Sequence, residues 1–587
     1  MQTKQTHMNR RHFLKKTGAA GAGLVLVGQK ETWGAEETIK LTPEHVQAVN
    51  RRRRIVVQCD PGALPFSQKN PSASSALKEW VAHRLGYADM PGSQISGIFW
   101  DLGYGDLAVY PSKIRPPWPD PRLRKWWDQG IDWVEELVQE TRKRNLEAFY
   151  HHRVNSKDVR LEGGLMMEEM LPSKKAHPDW VIKSWWWQGN WNLAVPEARE
   201  YRLSILREVA ENYNFDGMQL DFARHTPFLP PGQQWELRHH ITEFVRSVRQ
   251  MLLEVEKRRG RPFLLAAKVP RNLEGCRVDG FDVKEWAQQN LVDILTLGSR
   301  SVDVDVEAFR RVTAERNIKL QPCFDDHHTT DGYRFEPIEF LRGVFSNWWD
   351  QGADNIVTFN WSYASPEATK KIGIKPGPIS HQQAYLEAGS PESMRFKDKI
   401  FIIERRGGYP WSEGFFGRND TAPLPTLLSN HGRPALLQLR VSENFRDQTD
   451  RVKKIILRIV LFQTPPFRGR RWRELRGAVS PDAAALSVSE QDKVEVRLNG
   501  EALSLAVRDP EWKDPIIFSP EPQPASGGSG HYSIDPNQRL LRLDYVVDPS
   551  QCGRGFNEVE VRAIRNSHYE PGSDIKLEKV EIHAHYA

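Results

Sequence analysis

Between residues 50 and 390, short β-branched or aromatic runs alternate with longer stretches whose apolar residues recur every three or four positions. No other feature constrains the fold of this chain as tightly. Eight runs read as strands: Ile55 to Cys59, Ile95 to Trp100, Glu147 to His152, Gly217 to Phe222, Phe263 to Val269, Ile294 to Gly298, Ile318 to Phe324 and Ile356 to Trp361. Helical patterns lie between them at Trp126 to Arg144, Glu197 to Tyr213, Trp235 to Arg258, Val306 to Arg316 and Ile338 to Gln351. Parallel strands need crossover connections, so repeated β/α units imply a parallel sheet. Eight units predict a closed (β/α)8 TIM barrel over residues 50–394. The open doubly wound sheet lacks support, because no strand runs into a G-x-G-x-x-G turn.

Past residue 395 the pattern changes to short strand-like runs parted by Gly, Pro, Asn and Asp, with no long helix. Lys399 to Ile403, Ala435 to Val441, Lys454 to Leu461, Val494 to Leu498, Arg539 to Val546, Glu558 to Ala563 and Lys576 to His583 predict a β-sandwich-like domain over 395–587. Two domains also suit 587 residues, more than one core normally organises.

The first 35 residues read as a leader. Asn9-Arg10-Arg11-His12-Phe13-Leu14-Lys15-Lys16 resembles the twin-arginine export motif, and the Gly/Ala-rich apolar stretch Thr17 to Val27 follows it. Trp33 departs from the small-residue pattern before a cleavage site at Ala35, so the leader is either cut elsewhere or kept as an anchor. No later segment has the about 18 consecutive apolar residues of a membrane helix. The expectation is a periplasmic or extracellular protein, with the twin-arginine machinery as an export partner and no transmembrane segment in the mature chain. The 82 Lys+Arg and 76 Asp+Glu are scattered, which does not favour a nucleic-acid partner; Arg51 to Arg54 reads as a solvated strand entry. Four widely spaced cysteines without a C-x-x-C pair signal neither zinc nor a disulfide framework, and Cys59 and Cys323 read as small buried apolar residues.

In such a barrel the strands deliver the active site at their carboxyl ends. Asp60, Asp101, His151, His152, Arg153, Asp221, Arg224, His225, Lys268, Arg271, Arg300, Asp325, Asp326, His327, His328, Asn360, Trp361 and Tyr363 all fall there. One such Asp can be a helix cap, but a ring of carboxylates, imidazoles and guanidiniums is costly unless it is paired or faces a substrate. Asp216-Gly217 reads as a turn that closes the preceding helix onto its strand, leaving Asp221 at the functional end. The bland reading of Asp221 is a salt bridge to Arg224 or Arg271.

The stretch Tyr213-Asn214-Phe215-Asp216-Gly217-Met218-Gln219-Leu220-Asp221, preceded by His177-Pro178-Asp179-Trp180 and Asn192-Leu193-Ala194-Val195-Pro196-Glu197, resembles the glycosyl-hydrolase-like barrel family. It is more distantly similar to the fourth strand of α-amylase-type barrels. That resemblance implies glycoside cleavage, with Asp221 matching the nucleophile and His225 the histidine four residues on. Such chemistry needs a second carboxyl group of raised pKa. Here the sequence departs from the amylase pattern, with Gln219 in place of an arginine and Lys268 in place of the fifth-strand glutamate. Asp325 or Asp326 is then the first candidate acid and Glu274 the second. Asp101, His151, His152, Trp187, Arg224, His225, Lys268, Arg300, Asn360, Trp361 and Tyr363 are candidate substrate contacts. Tryptophans offer stacking faces to an oligo- or polysaccharide; Trp100, Trp185, Trp186, Trp187, Trp191 and Trp361 sit at strand ends or in loops, while Trp126, Trp127, Trp348 and Trp349 read as packing.

Two other functions fit the same residues. A metal-assisted hydrolase or deacetylase would use His151, His152, Asp326, His327 and His328, but adjacent residues on a strand face opposite ways and no H-x-H or H-E-x-x-H occurs. A non-catalytic carbohydrate-binding protein is the other, suggested by the missing fifth-strand glutamate. No cofactor and no metal site are expected.

Overall fold

The computed structural model describes residues 38–60, 77, 81–104, 107–118, 120–156, 158–162, 165–183, 188–222, 225–299, 301–325, 333, 336–361, 367, 370, 378–405, 421–463, 493–514, 539–565 and 574–587. Residues 1–35, expected to be a leader, lie outside them. Eight parallel strands close a barrel in chain order: β1 (Ile55–Cys59), β2 (Ile95–Asp101), β3 (Glu147–Arg153), β4 (Gly217–Asp221), β5 (Leu264–Val269), β6 (Ile294–Leu297), β7 (Lys319–Asp325) and β8 (Ile356–Phe359), which pairs back onto β1. All eight expected strands are present, with ends that differ by a residue or two.

Alternation along each strand sorts its side chains. Val56, Phe99, Phe149, Ala266, Ile294 and Val357 gather in one buried cluster inside the barrel, and Phe99 stacks on Phe149 at 4.3 Å. Their neighbours Ile55, Ile98, Trp100, Leu220 and Leu265 join the larger core between the sheet and the helices. Gly217 has ordinary backbone angles; its role is spatial, because a Cβ there would sit inside the Phe149 ring. The aspartate before it takes the turn's place in tying the strands: Asp216 accepts from the Ala148 amide at 2.9 Å and pairs with Arg142 and Arg261, each at 2.7 Å.

The helices used below are α1 (Pro43–Val49), α2 (Pro121–Asp128), α3 (Trp133–Lys143), α4 (Pro196–Asn212), α5 (Arg238–Arg259), α6 (Leu273–Asp279), α7 (Val306–Thr313) and α8 (Ile338–Asp350). The expected helix from Trp126 to Arg144 is two, α2 and α3. Gly130 takes φ +71°, and Asp132 caps the Val134 amide at 3.0 Å, so the chain stops and restarts there. The family-like segments ahead of β4 are structural: His177 stacks on Trp180 at 3.9 Å, Asn192 accepts from the Ala194 amide at 3.0 Å, and Pro196-Glu197 opens α4.

After the barrel come β9 (Lys399–Ile402), β10 (Ala435–Val441), β11 (Val452–Gln463), β12 (Lys493–Leu498), β13 (Ser504–Trp512), β14 (Leu540–Val547), β15 (Gly555–Ile564) and β16 (Ile575–Tyr586). They form two antiparallel sheets, ordered β9-β16-β11-β14-β13 and β10-β15-β12, that share a second core containing Leu439, Ile459, Leu498, Val561 and Ile582. The architecture is the expected barrel followed by a sandwich-like region. β13 has no counterpart among the expected strands. It lies at a sheet edge, contains Pro510 and slips register twice, and those features hide a strand from its pattern. All four cysteines are buried thiols. Among the described residues no helix is long and apolar enough to cross a membrane.

Candidate active site

The barrel's inward register places acids and bases in one layer at the carboxyl ends. Asp101 pairs in register with His151, His151 with Gln219, and Asp221 with both Arg153 and Lys268. The imidazole of His151 stands among them: Nε2 is 2.9 Å from Asp221 Oδ2 and 3.7 Å from Asp101 Oδ2. Arg153 closes the other side, with Nε 2.7 Å from Asp101 Oδ2 and Nη2 2.7 Å from Asp60 Oδ2. Asp101, His151, Arg153 and Asp221 are all buried.

Among the described residues, the buried Asp101 Oδ1 has no hydrogen-bond partner. Burial raises the pKa of this carboxyl group above the ordinary range, assisted by the charges of Asp60 and Asp221 and opposed by Arg153 and His151. An unpartnered oxygen with raised proton affinity is what a proton-donating carboxyl group requires. Its neighbour Asp221 instead has Oδ2 hydrogen-bonded to His151 Nε2 at 2.9 Å. Arg271, offered above as an alternative partner of Asp221, is bonded to Glu404 and to Ser301, the latter at 2.7 Å.

Beneath the carboxylates lies a polar layer of which the sequence reading named only Lys268 as a site residue, as a substrate contact. Gln58 and Gln219 flank His151, at 3.2 Å from Nε2 and 2.6 Å from Nδ1. Lys268 Nζ donates to Gln58 Oε1 at 2.7 Å and lies 4.8 Å from the centre of the Phe359 ring. Gln219 donates to Thr296, which also accepts from Gln321 at 2.6 Å. The available signal was the repeated Gln-x-Asp at the ends of two strands, Gln58-Cys59-Asp60 and Gln219-Leu220-Asp221: period two puts each glutamine directly below its aspartate.

The other expected residues divide. His152 turns outward, as alternation requires, with Nε2 2.7 Å from Arg202 and Nδ1 3.4 Å from the Tyr150 hydroxyl; burial and Arg115 push its pKa well down, so it stays neutral. Asp325 is buried at the end of β7 and accepts from Asn360 at 2.9 Å. Asn360 and His225 both adopt positive φ, 56° and 51°, and the His225 carbonyl accepts from Asn155 at 3.1 Å. Glu274 is exposed in the first turn of α6. Asp326, Trp187, Arg224, Arg300 and Tyr363 lie outside the described residues, as do His327 and His328.

The tryptophans need correction. Trp100 is fully buried and donates to Thr141 at 3.0 Å; Trp191 is buried beneath Lys174 and Arg202; Trp361 is buried and stacked on His381 at 4.2 Å. These three are packing residues, while Trp185 and Trp186, like Trp187, fall outside the described residues. Among the described residues one trio with metal-ligand atoms close together is His239, His240 and Glu243 at the start of α5, where Glu243 also pairs with Arg199 at 3.1 Å.

Residues 87–235 match the model of the family described as Glycosyl hydrolase-like 10. The chain is 32% identical over 135 residues to glycosyl hydrolase YngK of Bacillus subtilis, which covers 22% of this chain and 24% of that one. It is 24% identical over 173 residues to glycosyl hydrolase DigH of Escherichia coli K12, covering 27% and 38%. The matches therefore span about a quarter and under two fifths of these relatives' own lengths. Among solved structures, the PgaB (BpsB) glycoside hydrolase domain from Bordetella bronchiseptica aligns with 58% of this chain and 99% of its own at 14% identity and a TM-score of 0.37.

Proposed function

We propose that this chain is an exported glycoside hydrolase that cleaves an oligo- or polysaccharide with a pair of carboxyl groups, Asp221 and Asp101, at the mouth of its barrel. The observation that carries the reading is the placement of two buried carboxyl groups around one imidazole, with Asp101 raised in pKa by burial. Glycosidic cleavage needs one carboxyl group that keeps a proton for the leaving oxygen and one that faces the oxocarbenium-like centre ionised. Asp101 takes the place first assigned to Asp325 or Asp326, and Asp325 with Asn360 becomes a substrate contact across the mouth. The match of residues 87–235 to a glycosyl hydrolase-like family supports the same class of reaction.

The test is release of new reducing ends by the purified chain over a panel of glycans, with Asp221→Asn as the control. No turnover on any glycan by wild type, alongside measurable glycan binding, would replace this reading with a binding protein. Export by the twin-arginine route belongs to the proposal and rests on Arg10-Arg11 and the apolar stretch after them. Lysine at both positions should leave the protein in the cytoplasm, and normal export of that variant would remove the assignment.

A further inference from the structure

The two oxygens of Asp101 are held differently. Arg153 Nε donates to Oδ2 at 2.7 Å, and Nη2 of the same guanidinium is in ion-pair contact with that oxygen. Nη2 also donates to Asp60 Oδ2 at 2.7 Å, so one cation is clamped between the carboxyl groups that follow β1 and end β2. The clamp is anchored from behind: the Arg153 side chain is 2% exposed, and its carbonyl accepts from Arg202 of α4 at 3.1 Å. A guanidinium only donates. A hydroxyl hydrogen on Oδ2 would meet those N–H groups head on, so Oδ2 remains the accepting oxygen whether Asp101 is ionised or protonated. A proton on this carboxyl group belongs on Oδ1, the oxygen that has no hydrogen-bond partner among the described residues.

We infer that Arg153 is a positioning residue, which reserves Oδ2 of Asp101 as an acceptor and fixes the carboxyl proton on Oδ1, while Asp60 tempers the charge that Arg153 brings. Oδ2 keeps the same donor before and after ionisation, so Asp101 can lose and regain its proton without changing rotamer. On the glycosidase reading that proton goes to the leaving group: the O–H bond of Oδ1 breaks as one forms on the glycosidic oxygen, which takes the electrons of its bond to the anomeric carbon. The fate of the proton rests on that reading; its place on Oδ1 rests on the contacts alone. The two flanking charges oppose each other. Burial is the largest influence on Asp101 and raises its proton affinity, Arg153 lowers it, and Asp60 raises it again. His151 on β3 and Asp221 on β4 are the other charged or titratable groups acting on it from the neighbouring strands. Tyr150 and Cys59 are close as well, but burial raises the pKa of both, which keeps them neutral near pH 7.

The experiment reads the carboxyl group directly. In full-length protein labelled with 13C-aspartate, isotope-edited infrared spectra separate the protonated from the ionised form, and the Asp101 bands are identified by their loss in Asp101→Asn. The C=O stretch of protonated Asp101 should lie at the low frequency of a strongly hydrogen-bonded carbonyl, because Oδ2 is the carbonyl oxygen, and should rise in Arg153→Met, which removes donor and charge. The titration midpoint of the same bands should move up by about one unit or more in Arg153→Met and down by about half a unit or more in Asp60→Asn. Arg153→Lys keeps the charge and should return the midpoint towards wild type. In glycan hydrolysis the alkaline limb of the pH–rate profile should follow these midpoints, since a proton donor works only while protonated. A merely structural arginine would not move two midpoints in opposite directions. A wild-type stretch at the frequency of a free carbonyl, or midpoints that move together or not at all in Arg153→Met and Asp60→Asn, would overturn the inference. Should Arg153→Met not fold, the wild-type stretch and the Asp60→Asn midpoint decide it in the same two ways. The expected stretch and midpoints in a protein that hydrolyses no glycan would uphold it and sink the glycosidase reading instead.

Discussion

Asp221→Asn keeps the shape of the side chain that lies 2.9 Å from His151 Nε2 and removes its charge. Folding should hardly notice. Turnover should fall by about 10³-fold or more, equivalent to roughly 4 kcal/mol of transition-state stabilisation, with an almost unchanged melting temperature. The opposite pattern, lost stability with activity retained, would return Asp221 to a structural role. Asp101→Asn separates the roles of the pair: if Asp101 protonates the leaving oxygen, the variant should fail on poor leaving groups and be partly spared on activated aryl glycosides. Equal losses on both would deny it that role. At this scale the position of Asp221 at the end of β4 was legible because a strand's last inward residue is a matter of counting. The burial of Asp101 beside His151 was not, because it exists only once β2 and β3 lie side by side.

Between elements, α1 is clasped to the barrel floor by one histidine. His45 Nδ1 is 2.7 Å from Glu256 at the end of α5, and Nε2 is 3.0 Å from Asp293 just before β6. Burial would lower its pKa, but the bonds to Asp293 and Glu256 outweigh it and raise the value to about 9. A raised pKa means that folding favours the protonated ring. The stabilisation is complete below the unfolded value of 6.5 and is lost as pH rises towards 9. Its ceiling is of order 3 kcal/mol. Urea unfolding midpoints should fall between pH 6.5 and 9 in wild type and stay flatter in His45→Gln; parallel curves would show that His45 does not titrate in that window. A second element-scale test lies at Gly217, where Gly217→Ala should cost about 1–3 kcal/mol by crowding Phe149, with recovery in Phe149→Leu. A loss that Phe149→Leu does not relieve would point back to the turn. The eight strands could be read from the sequence because β-branched runs and helical periodicity differ in period. The polar layer of Gln58, Gln219, Thr296 and Gln321 was marked only by the Gln-x-Asp repeat, since a glutamine inside a strand reads as solvent-facing until the barrel closes around it. The α2/α3 break was signalled by Gly130 and Asp132, two residues whose local preference outweighed a continuous apolar stripe.

Across the whole molecule, the C-terminal region is built into the barrel rather than hung from it. β9 lies against α8 so closely that a Cβ on Gly343 would strike the Ile400 carbonyl. Two residues past β9, Glu404 is buried against Arg271 and Ser301, which follow β5 and β6 at the mouth. Burial raises the pKa of Glu404, against the pull of Arg271, so this carboxylate and guanidinium stand in an environment where neither charge is tolerated alone. Cutting the chain after residue 394 would remove β9 from α8 and take Glu404 away from Arg271 beside the site. The barrel segment alone should therefore be poorly soluble and inactive, even though its sheet is closed without the C-terminal strands. Glu404→Gln isolates the charge from the packing. It keeps the side-chain shape but removes the charge that Arg271 and Ser301 both bond, and it should lower unfolding stability by about 1–3 kcal/mol. Amide exchange should rise first in the loops around residues 270–272 and 301–305, which Arg271 and Ser301 tie together. If Glu404→Gln unfolds like wild type and the segment ending at residue 394 remains soluble and active, the two regions are coupled by the chain alone and the mouth is assembled by the barrel without help.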